Sequence, residues 1–353
     1  MKIFLCGDVM LGRGIDQIQM QSAPPQIHED YLKDARTYVK LAESESGHIP
    51  RNVSANYVWG EALNVFKQRK PDIKIINLET AMTLSESYFP KGINYRMHPA
   101  NVSILEEAGI DVCALANNHI LDWGVQGMRD TITSLESADI LFAGAGKDKD
   151  EAQAPAVIET KEGRVLIFSL AHILSGVPEE WGATDLKPGV FFISNFNQHT
   201  VNEIAALIKR YKQKKDLVVL SIHWGSNWGH DIPADHREFA HALIARAGVH
   251  ILFGHSSHHP RKVEVYNGCP IFYGCGDFIN DYEGIKSHKE FRGDLVLAYF
   301  VDVQIFPYKL NSINLDCLML KHFQLVRPPL KDVKWMFNTI NEVSEGYKAQ
   351  LTS

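Results

Sequence analysis

Apolar residues along this chain follow two rhythms. Short continuous runs at residues 2–6, 73–76, 110–115, 217–222 and 249–253 have the length of strands buried on both faces. Between them, apolar positions recur every three or four residues. Val58, Ala62, Leu63, Val65 and Phe66 predict a helix over 57–70, and Val201, Ile204, Ala205, Leu207 and Ile208 one over 196–211. Similar spacing predicts helices over 99–109 (closed by Gly109), 125–137 and 236–247, and a surface helix over 333–349. Strands alternating with helices mark an α/β fold.

Two stretches depart from this alternation. Residues 21–56 are polar and carry Pro24, Pro25 and Pro50, yet Tyr31, Leu32, Ala35, Tyr38, Val39, Leu41 and Ala42 approximate one helical face. They read as an inserted helix between loops, placed to act as a lid. From Ala156 onward strict alternation predicts a hairpin, Val157-Ile158 with 165–170, turning at Glu162 and Gly163. Residues 263–266, 271–273 and 295–300 supply further antiparallel strands, and 140–142 a short one.

The ends of the five runs carry the chemistry. They finish in Asp8, Glu79, Asn118 with His119, His223, and His255 with His258. Open α/β folds place ligands at the carboxyl ends of their strands. Carboxylate, amide and imidazole together form the mixed nitrogen and oxygen ligand set of divalent Mn, Zn or Fe, one or two ions. Gly7 is expected to let the chain turn sharply before Asp8. Asp122, three residues past His119, is placed to orient its imidazole. Arg13, in a glycine-rich turn, and Arg96 are candidate clamps for an anionic substrate. Gly144-Ala-Gly146 lacks the Lys-Ser/Thr of a phosphate loop and reads as a turn.

Composition narrows the setting. The 353 residues are 45% hydrophobic and 22% charged, an ordinary globular profile. A net charge of -6 with no basic stripe argues against nucleic acid as a partner. No apolar run approaches the roughly 20 residues of a membrane span. Residues 2–6 lead directly into Gly7-Asp8 rather than through a signal peptide, so the expected compartment is the cytoplasm. Five cysteines without a Cys-x-x-Cys pair fit reduced, buried thiols.

The motif series Gly-Asp8-Val-Met-Leu-Gly-Arg13, Asn-Leu-Glu79, Tyr-Arg96, Leu-Ala-Asn-Asn-His119-x-Leu-Asp122-x-Gly124, Gly-Ala-Gly146, His223-Trp-Gly225 and Gly-His255-x-x-His258 resembles the bacterial CapA family. These poly-γ-glutamate capsule synthesis proteins have a calcineurin-like metallophosphatase fold, so the resemblance implies a layered sandwich of mixed β-sheets flanked by helices. It covers Met1 to about Asp281 and implies a single domain over 1–325, with the helical insertion at about 21–56 and a helical extension over 326–353. By resemblance, Asp8 binds one metal, Glu79 bridges, and Asn118 and His223 bind the second. His119 is the general acid/base, with Asp122 behind it. Met10 stands where the pattern has a histidine, and Ser256 replaces another in the last motif. His255, His258 and Asp277 are the remaining candidate ligands there. The function implied is a metal-dependent enzyme acting on an anionic peptide-like or phosphorylated substrate, most simply a hydrolase. Epimerisation next to a metal-bound carboxylate, with His119 and His258 as acid and base, is the alternative chemistry. A non-catalytic role in capsule assembly is the third reading.

Overall fold

In the computed structural model, which describes residues 1–285, 287–344 and 346–348, the apolar runs become inner strands of two sheets. In the first, Lys2–Val9 pairs in parallel with Ile73–Leu78, followed by Val112–Ala114 and Leu141–Ala143. On the other side of Lys2–Val9 the pairing is antiparallel, through Leu295–Gln304, Lys309–Lys321 and Gln324–Val326. In the second sheet Gly163–His172, Leu217–His223, Ile251–His255 and Cys269–Phe272 run parallel. Ala156–Thr160 and Val263–Tyr266 add antiparallel strands, the former closing the expected hairpin.

The two-residue period of a strand sorts the core into layers. Ile3, Leu5, Ile73 and Ile75 of the first sheet meet Val165, Ile167, Leu217, Val219, Ile251 and Phe253 of the second in one buried cluster. Their neighbours in sequence face the other way. Phe4, Cys6, Ile76 and Leu78 pack with Ala62, Val65, Phe66 and Met128 of the helices Glu61–Arg69 and Gly124–Ser137. Leu166, Phe168, Val218, Leu220 and Leu252 pack with Ile204, Ile208 and Phe239 of Gln198–Tyr211 and Ala234–Ala242. The architecture is a helix–sheet–sheet–helix sandwich with mixed sheets.

Three expectations change. The terminal helix is Leu330–Val343, and it is not a surface helix: Met336, Phe337 and Ile340 enter the cluster between the sheets. Residues 345 and 349–353 of the expected extension lie outside the described residues. Gly7 makes no sharp turn but lies inside the Lys2–Val9 strand. A side chain there would put its Cβ 1.8 Å from the Gly276 carbonyl oxygen, so the residue serves close approach of two backbones. Finally, Lys309–Lys321 is a 13-residue strand that the sequence reading passes over. The insertion does contain a helix, Arg36–Ser46, which buries Tyr38, Val39 and Ala42. All five cysteines are free and buried, and no described helix is long and apolar enough to cross a membrane.

Candidate metal centre

Strand register assembles the site. In the first sheet Asp8 is paired with Asn77 on one side and Asp277 on the other. In the second, His223 is paired with His255. The carboxyl ends of both sheets therefore meet at one point, and all five side chains are buried there.

Hydrogen bonds fix the orientations. Asn77 Nδ2 donates to Asp8 Oδ1 at 2.7 Å, and the Ser256 N–H donates to Oδ2 at 3.1 Å. His255 Nε2 lies 2.6 Å from the Ser221 hydroxyl, leaving Nδ1 2.7 Å from His223 Nδ1 and 3.7 Å from Asp8 Oδ1. His258 Nδ1 is 2.9 Å from Asp277 Oδ1, while Asp277 Oδ2 accepts from Asn280 Nδ2 at 2.8 Å. Two donor clusters result, Asp8–His223–His255 and Asp8–His258–Asp277, each with ligand atoms within 4.8 Å of one another. Nearby, Glu79 Oε1 lies 3.7 Å from His119 Nε2 and 3.8 Å from His223 Nε2. Asn118 Oδ1 is 3.0 Å from His223 Nε2.

The electrostatics suit a divalent cation. Burial first, then the Asp277 charge, pushes the Asp8 carboxyl up to about 7. Burial and the Asp8 and Asp277 charges hold Glu79 well above the usual carboxylate range. Burial lowers His255 to about 3, and burial with the neighbouring His255 holds His223 well below its usual value. Burial would lower His258 as well, but the Asp277 and Asp8 carboxylates outweigh it and raise this imidazole. The centre thus gathers carboxyl groups that repel one another and, in His223 and His255, neutral imidazoles with lone pairs to share. Glu79 Oε2, buried, has no hydrogen-bond partner among the described residues. That donor set fits a divalent ion.

The family model described as "Bacterial capsule synthesis protein PGA_cap" matches residues 2–282. The chain belongs to this family. A probable polyglutamine synthesis accessory protein of Mycobacterium tuberculosis is 43% identical over 348 residues, covering 98% of this chain and 91% of the relative. The PGA biosynthesis protein CapA of Bacillus subtilis is 28% identical over 278 residues, 78% of this chain and 62% of that longer protein. The capsule biosynthesis protein CapA of Bacillus anthracis is 29% identical over 282 residues, 78% of this chain and 59% of its own. The calcineurin-like fold of the PGA_cap family is the layered sandwich seen here.

Set against the roles the PGA_cap resemblance implies, several residues stand differently. Asp8, rather than Glu79, is the residue common to both donor clusters. Met10 is buried, and its sulfur accepts from the Tyr282 hydroxyl at 3.5 Å. The proposed anion clamps are engaged by the chain itself. Arg13 makes two bonds to Asp281, at 3.1 and 2.5 Å, one to Glu29 at 2.7 Å and one to the Tyr38 hydroxyl at 2.8 Å. Arg96 donates to the carbonyls of Ser85, Pro24 and Gln26 and lies over the Trp123 ring. Both arginines fasten loops around the site, and Arg13 also lines the cavity that leads to it. His119 and Asp122 do form the expected pair, with Nδ1 2.6 Å from Oδ2. A cavity of about 680 Å³ reaches His258 and Asp277 past Asn227, Trp228 and Tyr282.

Asn77 and Lys91 belong to this centre and were missed. Asn77 stands at a strand end two residues before Glu79 and carries the same sequence signal as Glu79. Lys91 lies in a loop with no periodicity, so nothing in the sequence marked it.

Proposed function

We propose that this protein is a metal-dependent hydrolase acting on an anionic peptide of polyglutamate type. The observation that carries the reading is Asp8, shared by two clusters of carboxylate and imidazole donors of which only His258 is not fully buried. Asp8, His223 and His255 would hold one ion, and Asp8, His258 and Asp277 a second, with Glu79 and Asn118 alongside. When bound, a divalent ion supplies Lewis acidity, polarising a carbonyl or phosphoryl oxygen and acidifying water. His119 presents Nε2 toward Glu79 and the centre and can take up or return a proton there. Asp122 holds the opposite side of that ring. The cavity gives an extended substrate a route to the His258 and Asp277 end. The relatives named in polyglutamine and PGA synthesis support the peptide class.

The test is turnover of γ-glutamyl oligomers in ¹⁸O water by protein stripped with chelator and reloaded with Mn or Zn. Label in a cleaved product is expected. In D₂O, a product of unchanged connectivity with one deuterium on carbon would replace hydrolysis by epimerisation. Neither outcome, with metal bound, would leave a non-catalytic assembly role.

A further inference from the structure

We infer that Arg261 is a positioning residue: it holds the loop that sets Asn227 against His258 and Trp228 into the cavity wall, and it contributes little to the stability of the fold. The inference rests on the cavity as the substrate's route to His258 and Asp277. The loop joins Leu217–His223 to Ala234–Ala242. Residues 224–230 are irregular, and Ser226 and Asn227 are exposed. One segment of the chain takes three successive carbonyls of this loop. Arg261 Nη2 donates to the Ser226 carbonyl at 2.6 Å and to the Trp228 carbonyl at 3.3 Å. Between them, the Asn227 carbonyl accepts from the His258 N–H at 3.0 Å. The same Nη2 donates to the Ser226 hydroxyl at 2.9 Å. So held, the loop places Asn227 Nδ2 3.1 Å from His258 Nε2 and stacks Trp228 on His288 at 4.3 Å. All four of these residues line the cavity.

Arg261 reaches the loop from a fixed base. Its N–H donates to the Gly274 carbonyl at 2.8 Å. Its Cγ and Cδ lie 3.1 and 3.0 Å from where a Cβ on Gly274 would stand, so the stem uses the space that glycine leaves. At the far end Gly225 turns with a φ of +78°, and Arg261 Nη1 lies 3.4 Å from the position of its missing Cβ.

The energetics separate positioning from folding. The side chain is buried, and burial lowers its guanidinium to about 10. Arg13, equally buried, is paired with Glu29 and Asp281. Among the described residues no carboxylate is paired with Arg261, and its buried Nε has no hydrogen-bond partner. A buried charge that meets only neutral acceptors gives the fold little. An apolar side chain of similar length can fill the same space at comparable stability. It cannot hold the loop. Without the guanidinium, the Ser226 and Trp228 carbonyls turn to water on the exposed side, and only the His258 N–H is left to fix the Asn227 peptide.

The experiment compares wild type, Arg261→Met and Arg261→Lys as full chains by amide hydrogen exchange and urea unfolding. In Arg261→Met the His258 amide, which bonds to Asn227 and not to Arg261, should exchange about tenfold faster or more, as befits the loss of charged hydrogen bonds next to it. The amides of Leu217–His223 and Ile251–His255 and the urea midpoint should stay at wild-type values. Arg261→Lys keeps a cationic donor and should recover part of the protection. On any γ-glutamyl oligomer that turns over, Arg261→Met should raise KM with kcat unchanged. An unchanged His258 amide overturns the inference, and so does wild-type KM in a variant whose loop has loosened. Faster exchange spread evenly over the strands with a lower urea midpoint, or an Arg261→Met chain that does not fold, also overturns it, because Arg261 would then hold the fold. Exchange needs no turnover, so absent hydrolysis would remove the hydrolase reading and leave the hold of Arg261 on the loop standing on its own.

Discussion

Asp8 and His255 impose opposite protonation demands on any ion that binds between them. Burial and Asp277 hold the Asp8 carboxyl up to about 7, whereas burial holds His255 down to about 3. A metal needs the carboxylate and the neutral imidazole. Between about 4 and about 7 the imidazole is already neutral, and Asp8 still holds a proton that the ion must displace. Affinity for Mn or Zn should therefore rise with pH across this window. Titration calorimetry in two buffers of different ionisation enthalpy should show at least one proton released per ion below about 7. Affinity independent of pH over that range would mean Asp8 is not a ligand. Arg13 makes a different point at the same scale. Its three guanidinium nitrogens all contact the chain, and removing it strands Glu29 and Asp281 as buried charges. Arg13→Leu should cost about 3–5 kcal/mol in urea unfolding, the penalty of breaking a buried pair. A stable Arg13→Leu protein that had lost only substrate binding would restore the clamp role read from sequence. That reading recognised a cation suited to an anion. It could not see that the anion was Asp281, 268 positions away in the same chain.

Elements, more than residues, were legible in advance, because hydrophobic rhythm is local and register is not. The five apolar runs and their polar ends follow from counting, and all five ends reach one region. Which ends become neighbours depends on sheet order. Asp8 meets Asp277 only because Lys2–Val9 also pairs in parallel with Asp277–Ile279. The alternation Ile313, Leu315, Cys317, Met319 is a strand signal of the same two-residue period. The Gly7 approach to Gly276 holds this crossing together. At 1.8 Å from the Gly276 oxygen, an added Cβ must push two backbones apart. Gly7→Ala should therefore exceed the usual overpacking cost of about 1–3 kcal/mol and weaken metal binding in parallel, since the Asp8–Asp277 register goes with it. Denaturant unfolding and metal titration of the same preparation test this. Normal metal affinity in a destabilised variant would separate the strand crossing from the site.

At the scale of the whole molecule, the matched family region and the folded unit do not coincide. The match ends at residue 282, yet Leu295–Gln304 lies directly against the Asp8 strand, and Leu330–Val343 closes the layer between the sheets. The mycobacterial relative covers 98% of this chain and so spans these later elements, while the Bacillus subtilis protein aligns over 78%. The terminal helix carries the sharpest consequence. Met336, Phe337 and Ile340 pack in the same cluster as Ile3 and Leu5, which lie on the strand that ends at Asp8. Phe337→Ala alone should cost about 3–5 kcal/mol, typical of a truncated buried aromatic. Ending the chain at Pro329 removes all three side chains and exposes the apolar surface they cover. Against a total stability of about 5–15 kcal/mol, that loss should leave a protein with a much lower urea midpoint and weakened metal retention. The single substitution grades the effect where the truncated chain does not fold. An unchanged urea midpoint after truncation would show that the helix is dispensable and that the layer between the sheets is complete without it.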